Sequence, residues 1–253
     1  MNIYIYIIFF ILGIVFGSFY NVLAYRISIK ESIILPSSHC VYCKHKLKFL
    51  DLIPIFSYLF LGGKCRYCKK KISIIYPIIE LLTGILFVLS YHLHGFSIEM
   101  GISIVFSSVA LIVIASDIRY MIIEDIILIV GAIFIIVLNF FLGFENIKTI
   151  IINGILTFVI VYLIKIIADF AFKKEAMGGG DVKLLAFIGM ILPFPMALIT
   201  LCASAFIAFP YAIYIYLSKK NHILPLGPFL CITALIFYFL KINFNDIMSL
   251  MSN

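Results

Sequence analysis

Seven residues of the 253-residue chain have the type and spacing to do chemistry: Asp117, Asp125 and Asp181, and the cysteines Cys40, Cys43, Cys65 and Cys68. Asp117 ends one apolar stretch in "IASDIRYMIIED", Asp125 opens the next, and Asp181 follows three glycines in "FKKEAMGGGDVKLLAF". Carboxylates at membrane depth are costly and are functional hypotheses by default. The plainer reading is that such residues cap helices or sit in headgroup water, and an N-terminal capping role fits Asp125 and Asp181. Asp117 stands at a helix C-terminus instead, where the dipole opposes a negative charge. Two aspartates held together share one proton, because the first charge opposes the second ionisation. The ionised carboxylate then polarises water as general base, while the protonated one donates to a peptide carbonyl and later helps the leaving amine. Asp117 and Asp181 are the pair to which this chemistry points: peptide hydrolysis without a metal or a nucleophilic serine. Gly178 and Gly180 would let a substrate strand approach closely, although glycine-rich turns also simply join helices. Lys183 either tunes Asp181 or reaches toward the interface.

The cysteines form a C-x2-C pair, a gap of 21 residues, and a second C-x2-C pair. Each pair on a tight turn offers two thiolates to one tetrahedral ion, and the gap suits a four-cysteine zinc site. Four thiolates close the coordination shell, so the expected role is structural. Two disulfides are the competing reading, disfavoured if the loop lies in a reducing compartment. His39 and His45 are read as bystanders, and Cys202 and Cys231 as small core residues.

What must position these groups is a membrane scaffold. The chain is 64% hydrophobic and 12% charged, with mean hydropathy +1.21 and no Trp, whereas a soluble domain is about 25% charged. Runs near the length that a membrane helix needs extend from about Ile3 to Tyr25, Ile74 to His92, Ile98 to Ser116, Ile126 to Phe144, Ile147 to Phe172, Val182 to Leu192, Met196 to Leu217 and Ile223 to Leu240. The fold class expected is an all-α integral membrane protein of about eight transmembrane helices with a small cytoplasmic four-cysteine loop domain. The sixth run is short and closed by Pro193 and Pro195. The first lacks a basic n-region and a small-residue cleavage site, and is expected to be a retained helix. Of the 19 Lys and Arg residues, 16 fall in four loops that eight crossings place on one side, the cytoplasm by the positive-inside rule. The net charge of +7 is then a topology signal first and an attraction to membrane lipid second. No basic-aromatic module for nucleic acid is visible. The domain plan is a first helix over 1–26, a cytoplasmic cysteine/zinc domain over 27–73, and a multi-helix membrane domain over 74–253. A 47-residue loop is too small to hold itself together by core burial, which is where a metal contributes.

In chain order, "GSFYNVLAYR", "LPSSHCVYCKHKL", "LGGKCRYCKKKIS", "YPIIELL", "SDIRYMIIED", "MGGGDVKLLAFIG" and "LPLGPFL" together resemble the type IV prepilin peptidases. These are GxGD-type aspartic proteases with a leader peptidase/N-methyltransferase activity. The resemblance implies a bacterial multi-pass protein of the inner (plasma) membrane. It would cleave prepilins or pseudopilins after a glycine at the cytoplasmic face and methylate the new N-terminal amine from S-adenosylmethionine. Carried over by motif, Asp117 and Asp181 are the catalytic pair and Asp125 is supporting structure or a substrate contact. The chain departs from the family pattern at Glu124, where a proline is usual, and at Ile75, where an arginine is usual. Gly17, Asn21, Arg26, Gly63 and Glu80 are either helix-packing and turn residues or contacts for substrate or methyl donor. A broader intramembrane protease would hold its aspartates deep within long spans. A transporter would show an inverted repeat, and none is visible.

Overall fold

The computed structural model describes residues 3–217 and 224–251. Among the described residues ten α-helices follow one another: α1 (Ile3–Ser28), α2 (Phe56–Phe60), α3 (Ile75–His94), α4 (Ile98–Tyr120), α5 (Asp125–Phe140), α6 (Phe144–Phe172), α7 (Gly179–Gly189), α8 (Phe194–Leu217), α9 (Gly227–Phe239) and α10 (Phe244–Met251). A 3₁₀ turn covers Phe49–Asp51, and the only other regular pairing among the described residues is two isolated antiparallel bridges. All eight apolar runs anticipated from the sequence form helices. Five of them (α1, α3, α4, α6 and α8) are long and apolar enough to cross a membrane, while α5 and α9 are shorter. With 11 residues, α7 is about 16 Å long, half of a hydrocarbon core of about 30 Å. The last run was expected to begin at Ile223, which lies with Lys219 and Lys220 outside the described residues.

The apolar surplus faces outward, as a lipid-embedded protein requires. Ile126, Ile129, Val130, Ile133, Phe134 and Val137 of α5 are all exposed. Several buried hydroxyls and amides within the helices are satisfied by the preceding turn. Thr83, Thr157, Thr200 and Thr233 donate to the carbonyls four residues back, and Asn139 does the same. Groups paired in this way carry no unmet hydrogen bond into the membrane.

The chain forms two compact units, Met1–Ser116 and Asp117–Asn253. In the first, α1 packs on α3 backbone to backbone. A methyl group on Gly13 would stand 2.6 Å from the Gly84 Cα, and one on Gly17 would stand 2.7 Å from the Glu80 Cα. Asn21 then bridges the seam, donating from Nδ2 to the carbonyls of Gly17 (3.2 Å) and Tyr76 (3.1 Å). Farther along, Ser90 and Ser103 share a 2.8 Å hydrogen bond between α3 and α4. The second unit is organised around α7, whose Val182, Leu184, Leu185, Phe187 and Ile188 are all buried. This helix opens on Gly179 and Gly180 after the N-cap Gly178, and Pro195 occupies the first turn of the helix that follows, where a missing N–H is harmless.

Because Gly13 and Gly17 are bare for close approach, Gly17→Val should lower stability in detergent by about 1–3 kcal/mol through overpacking. The thermal unfolding midpoint reads this directly, and an unchanged midpoint would mean that α1 and α3 do not meet in this way.

Candidate active site and metal centre

Asp117 lies in the last turn of α4 and is 4% exposed. The C-terminal position that makes a carboxylate unfavourable is offset from elsewhere in the second unit: the Gly227 amide, at the first residue of α9, donates to Asp117 Oδ2 at 3.1 Å. A negative charge at the C-terminus of one helix is thus met by the N-terminus of another. The approach is close enough that a methyl on Gly227 would come within 2.7 Å of that oxygen and 3.1 Å of Ile123 Cδ1.

Asp181 is the third residue of α7, after the N-cap Gly178 and the helical Gly179 and Gly180. It is not itself the cap. Its carboxylate folds back over the helix start, so that a methyl on Gly178 would stand 3.1 Å from Asp181 Oδ2. Gly180 faces Ile123, whose Cβ would be 3.1 Å from a methyl there, whereas Gly179 has nothing within 4 Å. Ile123 therefore touches both Gly180 and Gly227, drawing the starts of α7 and α9 around one side chain. Through Ile123, the helix start that bears Asp181 neighbours Gly227, whose amide holds Asp117. The geometry gives the G-x-G spacing a reason: the first and third glycines are crowded and the second is free.

Asp125 is the first residue of α5, with Glu124 at the N-cap. Both its oxygens accept from Lys183 Nζ, at 2.8 and 2.7 Å. Lys183 is therefore spent on Asp125, tying α5 to α7 near their N-termini. At about half exposure on each side, the pair is worth at most about 1 kcal/mol.

The four cysteines form one cluster in the first unit, with their sulfurs all within 4.8 Å of one another. Cys40 Sγ and Cys68 Sγ are 3.9 Å apart. Tetrahedral zinc with Zn–S near 2.3 Å needs sulfurs about 3.8 Å apart, so the donor set fits a metal with little adjustment. The two C-x2-C turns are copies of one device. The Cys40 amide donates to the His45 carbonyl and the Lys44 amide to Cys40, just as Cys65 pairs with Lys70 and Lys69 with Cys65. Lys44 and Lys69 both take the left-handed conformation, at φ 56° and 59°. Burial pushes the Cys40 thiol up, but amides of Cys43 and Tyr42 and the neighbouring thiols bring it down to about 7. At Cys43 the His45 amide pulls down, while desolvation and the thiols of Cys40 and Cys68 push up to about 11. Thiols so close cannot all ionise without a cation among them.

Asp51, which the sequence did not single out, joins the two halves of this loop. It accepts from Arg66 Nε (2.6 Å), Tyr67 Oη (3.2 Å) and the Lys48 amide (3.1 Å). Burial works against its ionisation, but these donors outweigh it and hold the carboxyl below the usual aspartate range. Its contribution to the loop is present above the unfolded aspartate value and is lost as pH falls through the lowered one.

The remaining candidates fall along the α1–α3 seam and the loop above it. Gly17 abuts Glu80. Arg26, buried, donates to the carbonyls of Ser32, Ile33 and Pro36 at 2.9, 3.0 and 2.6 Å. Glu80 accepts the Ile55 amide at 2.7 Å. Ile55 lies at φ 62°, ψ −54°, a strained γ-turn for a β-branched residue, with the Phe56 amide on the Pro54 carbonyl at 2.6 Å. Gly63 has φ 66° and carries the Tyr58 ring over its face. Asn21 Oδ1 is buried without a hydrogen-bond partner.

Comparison with known proteins gives consistent matches. The bacterial peptidase A24 N-terminal domain family matches residues 11–94, and the type IV leader peptidase family matches residues 104–213. The chain is 33% identical over 234 residues to a prepilin leader peptidase/N-methyltransferase of Bacillus subtilis, covering 91% of this chain and 92% of that protein. Proteins of the same description from Vibrio cholerae (30% over 256 residues, 93% and 97% covered) and Neisseria gonorrhoeae (31% over 258 residues, 90% and 88% covered) are similarly close. No solved structure matches.

Gly180→Ala and Gly227→Ala should each cost about 1–3 kcal/mol by crowding, while Gly179→Ala should be neutral or stabilising by up to about 1 kcal/mol. Equal losses at all three in thermal unfolding would contradict the spacing argument. Elemental analysis should find about one zinc per chain, lost in Cys65→Ser and released as pH falls and thiolates protonate. Metal content unaffected by Cys65→Ser would place the ion elsewhere.

Proposed function

The chain belongs to the type IV leader peptidase family, and from that premise we propose that it cuts the leader from prepilins or pseudopilins with Asp117 and Asp181 as the catalytic pair. The observation that carries this reading is the Gly227 amide on Asp117. It fixes one carboxyl while Asp181 is delivered beside it from the start of α7.

One carboxyl is ionised and takes a proton from a water molecule between the pair. The other, protonated, donates to the scissile carbonyl oxygen as the water oxygen adds to carbon. In the collapse of the tetrahedral intermediate the hydroxyl proton returns to the second carboxylate as the carbonyl re-forms, the C–N bond breaks, and the leaving nitrogen takes up the proton that the first carboxyl had accepted from water. The buried setting of Asp117 strengthens each of these interactions. Asp125, held by Lys183, keeps α5 and α7 in register beside the dyad.

The loop positive charges put the dyad at the cytoplasmic face of the plasma membrane, in an eight-crossing arrangement in which α7 is enclosed by protein rather than spanning lipid alone. Cleavage there follows a glycine. The metal at Cys40, Cys43, Cys65 and Cys68 is zinc, and it holds the 27–73 loop folded. N-methylation of the new terminus is assigned from the names of the relatives, with S-adenosylmethionine supplying the methyl group. Arg26, Gly63 and Glu80 serve that activity by fixing the cysteine loop, and Gly17 by admitting α3 to α1. Asn21 Oδ1 is the buried acceptor left to meet a substrate.

The test is cleavage of a membrane-spanning prepilin N-terminus by purified protein, with products read by mass spectrometry. Asp117→Asn and Asp181→Asn should each reduce the rate by roughly 10²–10⁴-fold at unchanged folding. Wild-type rates in both variants would leave these carboxylates as helix-end structure.

A further inference from the structure

Asp181 is reached through a short loop, Lys173–Met177, between the end of α6 and the N-cap Gly178. We propose that Asp169 is a positioning residue for peptide cleavage: its carboxylate tethers this loop through the Ala176 amide, and so sets where α7 begins. This rests on the reading of Asp181 as catalytic.

Asp169 stands in the last turn of α6, where the helix dipole opposes a carboxylate. Something must hold the charge there, and both oxygens are engaged. Oδ2 takes Lys165 Nζ at 2.6 Å, one turn back, and Oδ1 takes the Ala176 amide at 2.7 Å. The Lys165 side chain is only 14% exposed and also lies 3.6 Å from Glu175 Oε1, so it contacts both the helix and the loop. Lys173 ends α6 in the left-handed conformation, at φ 53°. That reversal brings residue 176 back over residue 169. Only Met177 then separates the tethered amide from Gly178, and Gly178 is the residue over which the Asp181 carboxylate folds. A displaced Ala176 shifts the N-cap, and with it the aim of Asp181. Ion pairing alone would not do this, because Lys165 and Asp169 belong to the same helix. The amide acceptor holds the loop backbone itself, whereas Lys165 meets the loop only through the exposed Glu175 side chain at 3.6 Å.

The experiment measures kcat and KM for prepilin cleavage, with hydrogen exchange of the 173–178 segment, in Asp169→Ala, Asp169→Asn and the exchanged pair Lys165→Asp/Asp169→Lys. Asp169→Ala should lower kcat by roughly ten- to a hundredfold, the cost of misplacing a catalytic group by about 1 Å, with KM unchanged and exchange of the segment faster. Asp169→Asn keeps an oxygen for the Ala176 amide and should lose less on both counts. The exchanged pair keeps the ion pair without that acceptor and should fall as far as Asp169→Ala. Recovery of kcat by the exchanged pair, or an unchanged kcat in Asp169→Ala, overturns the proposal. Exchange of the segment is read independently of the chemistry. If Asp181→Asn still cleaves, the dyad reading fails while the tether is judged on exchange alone.

Discussion

A carboxylate removed from water needs fixed donors, and in this chain helix N-termini provide the setting. Asp181 sits on the first turn of its own helix. Asp117 sits on the last turn of its helix and receives the Gly227 amide from the first residue of α9. Asp117 meets that requirement with a backbone donor from another helix. That contact explains why α9 opens with Gly-Pro. Gly227 admits the Asp117 oxygen, and Pro228 sits where a missing N–H costs nothing.

The cysteine loop answers a different shortage. Between α1 and α3 the chain offers no helix longer than the five residues of α2 and no buried apolar cluster to hold it. Two identical turns, 25 positions apart, bring four sulfurs together instead. Around them the loop is fastened by polar groups: Asp51 to Arg66, Tyr67 and Lys48; Arg26 to three carbonyls; Glu80 to the amide of the strained Ile55. Two of these fasteners, Arg26 and Glu80, come from the helices that flank the loop. Strain at Ile55 persists because surrounding contacts over-determine it, and a buried carboxylate accepting its amide is one such contact.

Sequence legibility followed the same division. The eight apolar runs each became a helix because composition alone drives membrane helices, and the four-cysteine cluster was readable because metal geometry constrains spacing. The crossing count was less so: α5, α7 and α9 are too short for length to settle what they do. Residues that act through the backbone left no signal. Gly227 stood in a recognisable motif, yet nothing in its spacing said that its amide would meet a carboxylate 110 positions earlier. Ile123, Asp51 and Asp169 were ordinary in type, and only their partners distinguish them. Asp125 and Lys183 were each read singly, because an ion pair 58 positions apart has no local pattern.

The glycines before Asp181 show what a motif can conceal. Their presence suggested backbone freedom and room for a substrate strand. In the folded chain, Gly178, Gly179 and Gly180 are not in the left-handed region, so flexibility is not what the pattern records. Two of the three positions are bare because the volume of a Cβ is already claimed, at Gly178 by the Asp181 carboxylate and at Gly180 by Ile123. A third such place, Gly227, is claimed by Asp117 and the same Ile123. Crowding from inside the protein, rather than openness toward the substrate, accounts for residue identity at these sites. The consequence is that the Asp117 and Asp181 carboxylates are held in place by the protein's own backbone and side chains.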